Sequence, residues 1–150
     1  MTLSTDKLWT RMLVITTVAA ASVALSGCQG NVFSLKVGDC LLSSSATADN
    51  SEVSDVPVVG CDKAHESEIF ASILMDDGDF PGADEATKQA ETGCVDAFKE
   101  YVGIAYEDSK LGINYFTPTQ DTWDTGDREI LCILLDPKNK TTGSLKDAKV

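Results

Sequence analysis

Residues 83–103 read ADEATKQAETGCVDAFKEYVG, and the rest of the chain packs around the helix this stretch predicts. Ala83, Ala86, Ala90, Cys94, Ala97, Phe98 and Tyr101 recur at steps of three and four, which places all seven on one helical face. Asp84 and Glu85 suit the positive end of the helix dipole, and Gly103 supplies the left-handed residue at which a helix stops. Cys94 sits in the middle of the apolar stripe, so its partner belongs on a core strand. Glu129 to Leu135 offers one, with Cys132 amid Ile130, Leu131, Ile133 and Leu134. A bridge between the two cysteines staples helix to sheet.

Outward from the helix the pattern changes to that of strands. Phe33 to Leu42, Val56 to Val59, Glu68 to Met75 and Leu111 to Thr117 are strand-like runs bounded by turn residues. Asp76-Asp77-Gly78-Asp79 breaks the third of these, and Phe80-Pro81-Gly82 turns the chain into the helix. Thr122 to Asp127 reads as a tight turn presenting Trp123. Ser43 to Asp55 is rich in Ser, Ala, Thr and Asp with no apolar period, the mark of a loop. After Pro137 the chain is polar and Lys-rich, which predicts a loosely docked tail over 137–150. Strands, one main helix and strands again give an α+β class, a small antiparallel sheet packed with that helix.

Before residue 28 the sequence has a different purpose. Lys7 and Arg11 precede a largely apolar run, Met12 to Leu25, and small residues follow. These are the parts of an export signal, and the run is short for a membrane span of about 20 residues. Leu25-Ser26-Gly27-Cys28 resembles the bacterial lipobox, which implies a signal peptide over 1–27, cleavage before Cys28, and a lipoprotein whose thiol carries a diacylglyceryl group with palmitate among its acyl chains. Residues 28–32 then form a lipidated tether reaching roughly 15 Å. The expected location is the extracytoplasmic face of the cell membrane.

Cysteine count supports this division. Five cysteines leave one unpaired in an oxidising compartment, and assigning Cys28 to lipid leaves Cys40, Cys61, Cys94 and Cys132. Of three connectivities, Cys40–Cys61 with Cys94–Cys132 is preferred because each closes a short or moderate loop without crossing the other. Zinc is disfavoured because no C-x-x-C pair is present. The chain has 24 acidic and 12 basic residues; Asp6, Lys7 and Arg11 lie before Cys28, leaving 23 against 10. A net charge of minus 13 on what remains repels nucleic acid and anionic lipid.

Val37-Gly38-Asp39-Cys40, Val59-Gly60-Cys61-Asp62 with His65 and Glu68, Phe80-Pro81-Gly82, Cys94, the Pro118 to Trp123 segment, Gly126-Asp127-Arg128 and Leu131-Cys132 together resemble the septum-formation domain family. The resemblance spans roughly residues 34 to 136. That family occurs in actinobacterial envelope proteins, often lipoproteins or proteins with one membrane segment. The family has no settled enzymatic activity, so the resemblance implies an envelope location and a link to division. It places a septum-formation-like domain over 33–136.

His65 is the sole imidazole and is flanked by Asp62, Glu66 and Glu68, but no G-x-S-x-G elbow supplies it with a nucleophile. The expectation is a ring that bonds backbone near the Cys61 turn. Asp76, Asp77 and Asp79 lack the spacing of a calcium loop, so no metal is expected. Trp123, with Asp121, Asp124 and Asp127 around it, reads as a core anchor; together with Tyr115 it is also a candidate binding surface. The functional expectation is a non-enzymatic binding or adaptor module without a cofactor, meeting an unidentified envelope protein or wall component. The alternative is a small envelope hydrolase using His65 with a neighbouring carboxylate.

Overall fold

The computed structural model describes residues 29–31, 34–42 and 55–150. The expected signal peptide 1–27, Cys28, residues 32 and 33 and most of the predicted loop 43–55 lie outside the described residues, whereas Gln29–Asn31 of the expected tether lie within them. Among the described residues six strands form an antiparallel sheet: β1 (Gln29–Asn31), β2 (Cys40–Leu41), β3 (Asp55–Val59), β4 (Ser67–Leu74), β5 (Gly112–Phe116) and β6 (Glu129–Leu135). Their spatial order is β1-β3-β2-β4-β6-β5. The helix α1 (Ala83–Val102) packs on one face, and a short helix α2 (Gln120–Asp124) precedes β6. The expected α+β arrangement is therefore the observed one.

The apolar stripe of α1 is seated as its spacing demands, with Ala86, Ala90, Cys94, Phe98 and Val102 buried. Ala83 is exposed at the first turn, and Val102, absent from the predicted stripe, is fully buried. Gly103 has φ +90° and its N–H bonds Lys99 O, the expected left-handed stop. Phe98 meets Phe70 at 6.2 Å and Tyr106 at 5.2 Å between ring centroids, both edge-on. Gly93 lets β4 approach, since a Cβ there would stand 2.6 Å from Ile73 Cδ1.

Strand β4 changes face halfway along. Its pairing with β6 shifts between Ile69 and Ala71, a bulge at Phe70. Phe70 joins the helix-side core with Ile130, Cys132 and Leu134, while Ile69 joins Leu35, Leu41, Val56, Leu131 and Ile133 on the opposite face. Beyond the bulge Ala71 and Ile73 turn to the helix, and Leu74 is left 78% exposed.

Both disulfides form as expected. Cys40–Cys61 and Cys94–Cys132 have Cα–Cα distances of 5.3 and 5.5 Å. The second joins the middle of α1 to the centre of β6.

Three expectations need correction. The strand predicted over Phe33 to Leu42 is confined, within the described residues, to Cys40–Leu41, because Lys36 to Asp39 form a turn in which the Asp39 carboxylate accepts from Lys36 N–H and Gly38 takes φ +96°. The turn at Trp123 is a short helix, started by a capping box between Thr119 and Thr122. The loosely docked tail is a strap: His65 and Thr141 exchange two backbone hydrogen bonds, and Gly143 N–H donates to Cys61 O. Farther on, Asp147 and Lys149 N–H donate to Tyr101 O and Val102 O. Leu145 is 6% exposed and belongs to the helix-side core.

Candidate functional site

Two polar clusters hold His65 and Trp123, two of the side chains singled out by sequence. The first lies under the strap. Register places Cys40 directly opposite Glu68, so both side chains point to the helix face, and Cys61, two residues past the partner Val59, returns to that face to close the bridge. Glu68 is fully buried. Its Oε1 accepts from Tyr101 Oη at 2.7 Å and Ser144 Oγ at 2.6 Å, and its Oε2 accepts from Leu145 N–H at 2.7 Å. A buried carboxylate is tolerated only when donors replace its lost water, and here strand, helix and strap each contribute to that arrangement. Burial, then the hydrogen bond to Glu68 and its negative charge, push the Tyr101 phenol up to about 12. The Glu68 carboxylate and the Cys40 and Cys61 sulfurs lie within 4.8 Å of one another, but the sulfurs are bonded to each other and offer a metal no thiolate.

His65 sits beside this cluster, fully buried. Its Nδ1 is 2.8 Å from Lys63 O, which fixes the proton on Nδ1 and leaves Nε2 as an acceptor with no hydrogen-bond partner. The flanking carboxylates go elsewhere: Asp62 is exposed, Glu66 pairs with Lys140 at 3.1 Å, and Glu68 serves the strap. None of the three orients the imidazole.

The second cluster surrounds Trp123, which is 5% exposed. Its Nε1–H donates to Gly78 O at 2.9 Å, and Phe80 stands 5.5 Å away centroid to centroid. The Arg128 guanidinium lies 3.8 Å from the Trp123 ring centroid, donates through Nη1 to Trp123 O and Asp127 O at 2.8 Å, and meets Asp77 at 3.3 Å. Trp123 and Arg128 thus tie the acidic turn after β4 to the turn before β6. Between these turns is an open recess of about 460 Å³, lined by Asp79, Phe80, Gln120, Trp123, Asp124 and Arg128.

Tyr115 has different neighbours. It faces the helix-side core from β5, where burial and then the charge and hydrogen bond of Glu91 raise its phenol. The two aromatics expected to act as a pair therefore have separate partners. Sequence reasoning placed Glu68 at a strand start, beside His65 and in the family pattern, and Arg128 in that pattern, but gave neither a structural task, and none to Tyr101 beyond the stripe or to Ser144. A charged residue directly before Ile69-Phe70 was the available signal for Glu68.

No described helix is long and apolar enough to cross a membrane. No curated protein and no solved structure matches the chain. A family model described as septum formation matches residues 37–149, most of the chain and all but the last residue of the strap. The chain accordingly belongs to the septum-formation family, and its role is linked to septum or cell-wall processes.

Proposed function

We propose that this protein is a lipoprotein held through Cys28 at the outer face of the cell membrane, where it acts as a non-enzymatic binding or adaptor module for an envelope protein or wall component. The observation that carries the binding reading is the recess beside Trp123. Asp79, Gln120 and Asp124 stand exposed around it, on turns that Trp123 and Arg128 tie together. Aromatic and Arg anchors with a polar rim are the usual composition of protein contact sites. By contrast His65 is closed off against backbone, which weighs against the hydrolase alternative because a general base needs reach to its substrate. The lipobox-like Leu25-Ser26-Gly27-Cys28 supports the anchor. Two or more acyl chains hold a protein stably where one gives only marginal attachment.

Photo-crosslinking in intact cells tests this. A benzophenone side chain at Asp79 or Gln120 should give a discrete adduct that a probe at Lys88, on the exposed side of α1, does not. The Cys28→Ala form should lose it. Equal crosslinking from all three positions, or an adduct indifferent to Cys28, contradicts the reading.

A further inference from the structure

The two disulfides sit in unlike surroundings. Cys94 and Cys132 are both fully buried between α1 and β6, so a reagent reaches neither sulfur unless helix and sheet separate. Cys40 is equally buried, but Cys61 is half-buried in a turn beyond β3, between the exposed Gly60 and Asp62. Thiol–disulfide exchange depends on access to one sulfur and on the charge the leaving sulfur must carry. At Cys40–Cys61 the first is met by the half-buried Cys61, while the second is set by Glu68, which faces the buried Cys40 and slows its departure.

We propose that Cys40–Cys61 is an exchange site for thiols, with Cys61 the sulfur attacked and Cys40 the sulfur expelled. An incoming thiolate forms a new S–S bond to Cys61 Sγ, and the Cys40–Cys61 bond breaks with its electron pair leaving on Cys40. The Glu68 carboxylate, within 4.8 Å of both sulfurs, opposes a second negative charge there, so Cys40 takes up a proton from solvent. A second thiolate then attacks the incoming sulfur. That step releases the oxidised reagent as its own disulfide and leaves Cys61 as a thiolate, which takes up a proton. Gly38 O, 3.4 Å from Cys61 Sγ, is placed to accept from the resulting thiol. The balance is two thiols oxidised to one disulfide and one cystine reduced to two cysteines.

The site is also joined to the strap. Gly143 N–H bonds Cys61 O, and Glu68, facing Cys40, holds Ser144 and Leu145. Exchange at Cys61 therefore loosens the strap where it crosses the sheet.

The test uses the disulfide-intact protein in native buffer with glutathione, trapped with iodoacetamide and mapped by peptide mass spectrometry. The expected result is glutathione on Cys61, carbamidomethyl on Cys40, and an unmodified Cys94–Cys132 pair in protein that keeps its circular dichroism. Hydrogen exchange at Gly143 to Leu145 should rise in the modified form. Glutathione on Cys40, concurrent opening of Cys94–Cys132, or no reaction short of denaturation would overturn the proposal. Glu68→Gln should speed the reaction several-fold; an unchanged rate in a folded variant overturns the role given to Glu68. If that variant does not fold, the labelling pattern of the natural sequence still decides.

Discussion

Glu68 shows how one buried charge can organise three separate parts of a chain. Its carboxylate takes both hydroxyl donors on one oxygen and a backbone N–H on the other, joining β4, α1 and the strap. Tyr101 carries a pH signature of that bond. The folded state keeps a phenolic proton that the unfolded chain releases above pH 10, since the Tyr101 value is raised from 10.0 to about 12. Stability from this group is intact below pH 10 and falls as pH climbs toward 12. Thermal melts across that range should show a shallower decline for Tyr101→Phe, with Tyr115 accounting for some of what remains; parallel curves would contradict the assignment. Trp123→Ala removes a buried ring, its bond to Gly78 O and the platform under Arg128. A loss of about 3–5 kcal/mol is expected in urea denaturation. A variant as stable as the natural chain would show that Trp123 is not a core anchor.

At the scale of elements, helix and strap differ in how plainly they could be read. The α1 stripe repeats over five turns, ends in Gly103 and centres on Cys94, so periodicity, stop signal and staple agree within the sequence itself. β4 and β6 were legible from their Val, Ile and Leu content. The strap was not, because Thr141, Gly143 and Ser144 bind through backbone groups or one hydroxyl, and Leu145 is its one large apolar residue in the core. Composition reads such a segment as solvated. The Lys36 to Asp39 turn was missed for a related reason: an Asp39 side chain competing for backbone N–H leaves no trace in hydropathy. Leu145→Ala should cost about 2–5 kcal/mol despite its place in a polar segment, whereas a loosely docked tail would lose nothing measurable. Gly103→Ala forces a side chain into left-handed backbone 3.2 Å from Lys149 Cγ. It should lower stability by roughly 1–2 kcal/mol, read from the same denaturation series.

Over the whole molecule, the family match from residue 37 to 149 and the physical extent of the fold agree, since both include the strap. The motif residues that carry the resemblance end at Leu131-Cys132, so a span drawn from them to residue 136 leaves the strap out. Two disulfides, closing separations of 21 and 38 residues, brace a small core that a domain of this size needs help to maintain. Each contributes roughly 3–4 kcal/mol on loop-entropy arithmetic. The proposed working arrangement is a braced body, strongly acidic, whose first strand β1 begins at Gln29, next to the lipidated Cys28, which holds it close to a bilayer whose anionic lipids repel it. Intact-mass spectrometry of the unreduced protein from isolated membranes tests that arrangement most directly. The account predicts a chain beginning at Cys28, heavier by a diacylglyceryl group and lighter by four hydrogens for two disulfides. A chain recovered only in the soluble fraction, with Cys28 unacylated, would contradict it.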